Sequence, residues 1–242
     1  MATRPVFIVQ TLTPPSFGVV VEFVDFLWSP GMARSQKQKC IDSLHVAIKK
    51  QHQCNPLEIS SKSRTPLGVD LSAFNLSFRD PSGRTVSVES AFQGSKVFRD
   101  AGPFHALYGA VARDAKGFFK DKMYGPLKAF NFYGKIWPTR PKTIFYDWIY
   151  LNFLFRNPPL ASSILKYDAF TDIEFNPKRS INCQAFSAAL FVALSRAGQL
   201  DAILKDRAFY IETMRSLPEW IDGTSFAQHH ELSCSDICKL EN

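Results

Sequence analysis

The chain has 242 residues with 45% hydrophobic and 14% aromatic content, which excludes intrinsic disorder and suits one large domain with a sizeable core. A formal charge of +7, with no block of like charge, favours polyanionic company such as nucleic acid or nucleotide phosphates. The start MATRPVFIVQTLTPP lacks the apolar core of a secretory signal, the most apolar run (Ile144 to Phe155) is too short to span a bilayer, and five irregularly spaced cysteines point to free thiols, so a cytoplasmic protein without a membrane span is expected.

Arg4 to Thr11 and Val19 to Trp28 are rich in Val, Ile and Phe and flank Pro14-Pro15, which predicts two strands and a turn. Ser35 to Gln51 reads as a helix with Ile41, Leu44 and Ile48 on one side. Lys37, Lys39, Lys49 and Lys50 on its flanks suit a solvated face by default and a phosphate-tracking surface otherwise. From Leu57 to Phe78 come short extended pieces interrupted by Thr65-Pro66-Leu67-Gly68. Small hydroxyls beside Lys62 and Arg64 suit a phosphate-binding loop and equally an ordinary exposed turn.

SVESAFQGSKVF, Ser87 to Phe98, reads as one amphipathic helix. Val88, Ala91, Phe92, Ser95 and Phe98 share a mostly apolar side, and Glu89, Gln93 and Lys96 fall in a narrow arc opposite. Two turns, roughly 10 Å, separate Glu89 from Lys96. An acid and an amine can then attend one small substrate lying over Gln93; a solvated face with weak ion pairing is the alternative.

Phe104 to Phe119 reads as a further helix with Leu107, Val111 and Phe118 inward, and Leu127 to Gly134 is ambiguous between strand and helix. Thr143 to Phe155 is apolar nearly all round and predicts a buried helix, in which Asp147 must be paired, hydrogen-bonded or neutralised. That leaves it a site residue or a structural one. A short helix at Ala161 to Lys166, an acidic strand reaching Glu174 before the Asn176-Pro177 turn, a helix at Ser180 to Ala197 and a final helix at Asp201 to Leu217 follow, and the tail from Pro218 is polar.

No G-x-x-x-x-G-K-[ST] loop, G-x-G-x-x-G turn or G-x-S-x-G elbow occurs, so a P-loop triphosphatase, a Rossmann oxidoreductase and an α/β-hydrolase lack support. His229, His230, Cys234 and Cys238 lie close together but in a polar tail without a second half-site, so no metal is expected.

SVESAFQGSKVF resembles the signature helix of the NADAR (YbiA-like) domain, Val-Glu-(Ser/His)-x-Phe-Gln-x-x-Lys-(Phe/Val). Leu71-Ser72-Ala73-Phe74-Asn75-Leu76 is similar to that family's Leu-Ser-Asn-Phe-Tyr stretch, Asp147-Trp148 to its downstream Asp-Trp, and Glu174-x-Asn176-Pro177 to its Glu-x-Ser-Pro element. Order and approximate spacing agree over about residues 57 to 197. The resemblance implies an α+β fold, a mainly helical single domain with a few short strands. Here a catalytic domain at 57–217 would carry an N-terminal extension, 1–56, with extra strands and a helix packed on the core, and a polar tail, 218–242.

The resemblance also implies an N-glycosidase that removes ADP-ribose from guanine in DNA or nucleotides, as antitoxins paired with an ADP-ribosyltransferase toxin do, without a cofactor. Glu89 would match the catalytic glutamate, Lys96 the lysine that forms a Schiff base with the opened ribose, and Trp148 the tryptophan that encloses the substrate. Asp147 joins Glu89 and Lys96 as a candidate catalytic group. Lys62, Arg64, Ser72, Phe74 and Asn75 on one side, and Gln93, Trp148, Glu174, Asn176 and Asn182 on the other, are candidates for binding the substrate. The chain departs from the family where Asn176-Pro177 runs into KRSINCQA without the expected acid and Trp-Gly, so that acid's role passes to Asp172, Glu174 or Asn182. A small N-ribosylated metabolite of the riboflavin-pathway type as substrate, a non-catalytic module that binds ADP-ribose or nucleic acid, and a transferase are the competing readings.

Overall fold

The computed structural model describes residues 1–10, 18–120, 122–177 and 180–216. Its first half comprises β1 (Ala2–Gln10), β2 (Gly18–Phe26), α1 (Arg34–Gln51), β3 (Pro56–Glu58), α2 (Pro66–Asp70), β4 (Ser77–Arg79), β5 (Thr85–Ser87), α3 (Val88–Gly94) and β6 (Lys96–Phe98). A 3-10 turn (His105–Gly109), α4 (Ala112–Gly117), β7 (Leu127–Phe132), β8 (Lys135–Trp137) and α5 (Ile144–Phe155) come next. α6 (Pro158–Ile164), β9 (Ala169–Thr171), α7 (Gln184–Arg196), α8 (Leu200–Lys205) and α9 (Arg207–Ser216) complete a mixed α+β fold in which helix outweighs strand.

Side-chain alternation along β1 builds two packing layers at once. Val6 of β1 and Val24 of β2 meet Cys40, Ile41, Leu44 and Ile48 of α1, while Phe7 and Val9 point the other way into the main core around α5 and α7. The sheet between them has the order β2-β1-β9-β3, with β1 antiparallel to both neighbours and β3 parallel to β9. Residues 1–56 therefore supply this sheet's two nine-residue strands and the helix on its outer face. α5 is buried along almost its whole length between α3 and α7, as its all-round apolarity predicts. No helix among the described residues is long and apolar enough to cross a membrane.

The expected helix from Ser87 to Phe98 stops at Gly94, and Lys96–Phe98 is a strand paired with β7, Lys96 opposite Phe130. Tertiary packing ends the helix: a Cβ on Gly94 would lie 2.6 Å from the Tyr108 ring, and Gly94 O accepts from Phe104 N–H at 2.8 Å. Three other expectations shift for local reasons. Thr65-Pro66 opens a helix rather than interrupting strands, with Pro66 at its start and the Thr65 hydroxyl accepting from Gly68 N–H at 3.2 Å. Phe104 to Phe119 divides into the 3-10 turn and α4 at Val111, which is 68% exposed rather than inward because it caps α4. The expected last helix breaks at Asp206, whose carboxylate accepts from Ala208 and Phe209 N–H at 2.8 and 3.1 Å to start α9. Leu127 to Phe132 is strand β7.

Candidate functional site

Helix α3 is short and buried at every residue, so its placement fixes what Glu89 and Gln93 face. Ser87 caps it by accepting from Ser90 N–H at 3.1 Å. Val88 and Glu89 N–H donate to Leu76 O and Ala73 O, both at 2.9 Å, which fastens the 71–76 loop onto the helix start. Four residues apart on one face, Gln93 Nε2 donates to Glu89 Oε1 at 2.8 Å.

Opposite this face stand Ser60 to Lys62 after β3, Arg113 and Lys116 of α4, Tyr146 of α5, and Asp172, Glu174, Asn182 and Gln184, enclosing a cavity of about 560 Å³, a size typical of ligand sites. Three residues that line it carry a buried atom, Ser72 Oγ, Gln93 Oε1 and Asn182 Oδ1, with no hydrogen-bond partner among the described residues. Buried polar atoms are nearly always paired, and a side-chain rotation toward the cavity would let these three meet water or a bound polar molecule.

The cavity carries both signs of charge: Lys62, Arg113 and Lys116, against Glu89, Asp172 and Glu174. Asp172 is held by Gln184 Nε2 at 2.9 Å and Glu174 N–H at 3.0 Å. Burial still raises its pKa to about 6; those bonds and Lys116 work against the rise and Glu174 with it. The oxygen of the same Gln184 amide accepts from Ala73 N–H at 2.7 Å, tying the loop that carries Ser72 to the start of α7. Glu174 pairs with Lys37 of α1 at 3.2 Å. Burial, with Glu89 adding to it, holds the Tyr146 phenol well above its ordinary pKa, so it enters the cavity wall neutral.

Of the residues expected at the site, Lys62, Ser72, Phe74, Asn75, Glu89, Gln93, Glu174 and Asn182 line this cavity together. Five do not. Lys96 sits with its ammonium 5.0 Å from the ring centres of both Phe92 and Phe119, over the Phe92 that does line the cavity. Burial lowers its pKa while Glu89 opposes that, so acid and amine feel one another across the Gly94 break rather than along one helix face. Arg64 is exposed and spent on a two-bond fork to Asp42 of α1, at 2.6 Å each. Asp147 faces α7, accepting from Ser187 Oγ at 2.6 Å. Trp148 packs against Trp137, ring centres 4.5 Å apart, and Asn176 uses its carbonyl to close a turn with Ser180 N–H at 2.9 Å.

Arg113, Lys116, Tyr146 and Gln184 also line the cavity, and sequence reasoning missed them. Arg113 and Lys116 share a face at i, i+3 spacing, a signal hidden by reading them into one longer helix; Tyr146 and Gln184 carry no local mark at all. Among the described residues no group of three or more His, Cys, Asp or Glu is arranged to hold a metal ion, and His229, His230, Cys234 and Cys238 lie outside those residues. A family model for the DarT1-associated NADAR antitoxin matches residues 2–220. No curated protein matches the chain.

Proposed function

The chain belongs to the family of DarT1-associated NADAR antitoxins, and on that premise we propose that its cavity takes the ADP-ribose of an ADP-ribosylated guanine, in DNA or a free nucleotide, and cleaves the N-glycosidic bond. A cognate DarT-type toxin would be the source of the modification. The observation that carries this reading is a cavity with cations and carboxyls in its wall, Lys62, Arg113 and Lys116 against Glu89, Asp172 and Glu174. Lys62, Arg113 and Lys116 suit a diphosphate, and the polar side chains of Ser72, Gln93 and Asn182 suit ribose hydroxyls.

Breaking such a bond needs a proton for the departing base and support for positive character at the anomeric carbon. Asp172, whose proton persists to about pH 6, supplies the proton; Glu89, oriented by Gln93, faces the developing positive charge. The removal of water from around Lys96 favours its neutral amine. When the ribose ring opens with the acid's proton on O4′, that amine adds to C1′, guanine leaves with the proton the amine gives up, and water hydrolyses the resulting imine, freeing the lysine and returning the acid's proton as the ring recloses. This route requires the Phe92 ring to turn aside. A second reading, direct attack by water, draws on Lys96 lying outside the cavity lining.

The test is release of ADP-ribose from an ADP-ribosylated guanine oligonucleotide and from the free nucleotide, with and without borohydride. Glu89→Gln is expected to lower kcat by at least ~100-fold with an unchanged melting temperature. A borohydride-trapped adduct in the wild type, absent from Lys96→Ala, supports the imine route; turnover without an adduct, retained in Lys96→Ala, supports direct hydrolysis. No release by the wild type from either substrate overturns the proposal.

A further inference from the structure

Behind the Ser60 edge of the cavity a line of hydrogen bonds runs outward through the sheet to α1. Ser60 lines the cavity, and its hydroxyl donates to Glu58 Oε1 at 2.7 Å. Glu58 is 1% exposed; its Oε1 also accepts from Ile173 N–H at 2.9 Å, and its Oε2 accepts from the Thr171 hydroxyl at 2.6 Å. Thr171 Oγ1 in turn lies 3.0 Å from Nε2 of His45, a half-buried residue of α1. The cleavage chemistry uses none of these four residues.

We propose that Ser60, Glu58, Thr171 and His45 form a proton-conducting line joining the cavity wall to solvent on the α1 side of the sheet. Its catalytic use rests on the cleavage reading, since a substrate filling the cavity mouth would cut the wall off from bulk water; its existence does not.

The bond inventory allows two arrangements. With Glu58 ionised, Thr171 donates to Oε2 and accepts from Nε2–H of His45. With Glu58 protonated at Oε2, the carboxyl donates to Thr171 Oγ1, Thr171 donates to a bare His45 Nε2, and the ring's proton sits on Nδ1. Passing between them moves one proton outward: Glu58 gives its proton to the Thr171 oxygen, Thr171 gives its own to Nε2, and Nδ1–H is released to water. On the cavity side, Ser60 then passes its hydroxyl proton to Glu58 Oε1 and takes one from a bound donor, which restores the protonated carboxyl. The two oxygens of a single carboxyl thus serve as entry and exit.

The electrostatics place the stored proton inside. Burial and the nearby Asp172 raise Glu58 to about 8, against the bonds from Thr171, Ile173 and Ser60. Burial and Lys49 lower His45 to about 4, with Asp42 opposing. Asp172 is itself faced by Glu174 and Lys116, and it acts on Arg4. Near neutral pH the carboxyl therefore holds the proton and the imidazole is neutral, free to switch tautomer.

The deciding experiment reads the folded protein without substrate, by NMR of 13C-labelled glutamate carboxyls and 15N-labelled histidine rings. As Glu58 titrates near pH 8, neutral His45 is expected to switch from Nδ1–H to Nε2–H over the same range. In Thr171→Val the ring no longer follows Glu58, and in Thr171→Ser it still does. A single His45 tautomer throughout, or a Glu58 that titrates in the ordinary carboxylate range, overturns the proposal even if Thr171→Val fails to fold. The catalytic use is tested with His45→Gln, expected to lower kcat roughly tenfold at alkaline pH with KM unchanged and with recovery in imidazole buffer. An unaltered pH profile would overturn that use. Absence of turnover in the wild type would sink the cleavage reading alone, with the tautomer switch still deciding the relay.

Discussion

Asp147 and Asp172 are both buried, and burial raises both carboxyls, to about 7 and about 6, yet the regions around them put that burial to opposite uses. Asp147 lies where α5 packs on α7 and accepts from Ser187 Oγ, with Thr143 bonding beside it; nothing from solution reaches it. Asp172 is held equally firmly, by Gln184 and the Glu174 backbone, but one side of it is the wall of a cavity. A perturbed carboxyl points to chemistry only where a reactant can touch it. The motif that drew attention to Asp147 is, in this fold, a core hydrogen bond, whereas Asp172, one of the three residues to which the missing acid's role could pass, lines the cavity.

Substitutions at the two positions should separate cleanly. Asp172→Asn is expected to cost kcat at least ~100-fold with little change in melting temperature, whereas Asp147→Asn keeps kcat within a small factor; equal losses from both would erase the distinction. The next largest effect falls on the cations of the cavity wall. Arg113→Ala and Lys116→Ala should each raise KM by roughly tenfold with kcat unchanged, as steady-state kinetics on the ADP-ribosylated nucleotide would show. Asp147→Ala, by contrast, should lower stability by about 1–3 kcal/mol in urea unfolding while leaving KM alone.

The pH dependence of stability sharpens the same contrast. Asp147, Asp172 and Glu58 all hold protons in the native state that the unfolded chain has released, since their native pKa values are raised to about 7, about 6 and about 8. Their contribution is complete below about pH 4 and is lost as pH rises through those values. His45 has the opposite sign: lowered to about 4, it costs stability as pH falls below about 6.5. Urea midpoints for Asp147→Asn should therefore fall less steeply between about pH 4 and 7 than those of the wild type. Arg64→Ala is the smallest effect: its exposed fork to Asp42 is screened by water, and neither the urea midpoint nor KM should move measurably.

What could be read in advance was local. Glu89 and Gln93 are one helical turn apart, so their shared face follows from spacing alone, and the apolar girth of α5 announces its burial without knowledge of its neighbours. Lys96 leaves that face because the packing of Gly94 against Tyr108, fourteen residues further on, ends the helix. Arg64 looked free for phosphate because its partner, Asp42, lies 22 residues earlier on another element. Trp148 looked like a substrate clamp, but Trp137 from β8 takes its ring. Distant partners decide such side chains, and periodicity carries no record of them.

The contact between Gly94 and Tyr108 has one more implication. Because a methyl group at position 94 would collide with the phenol ring, the turn from α3 into β6 works as a ruler, setting the span between the acid on the helix and the amine on the strand by a hydrogen atom's width. Natural sequences with a larger residue at 94 should carry a slimmer one at 108, and the two positions should change together or not at all.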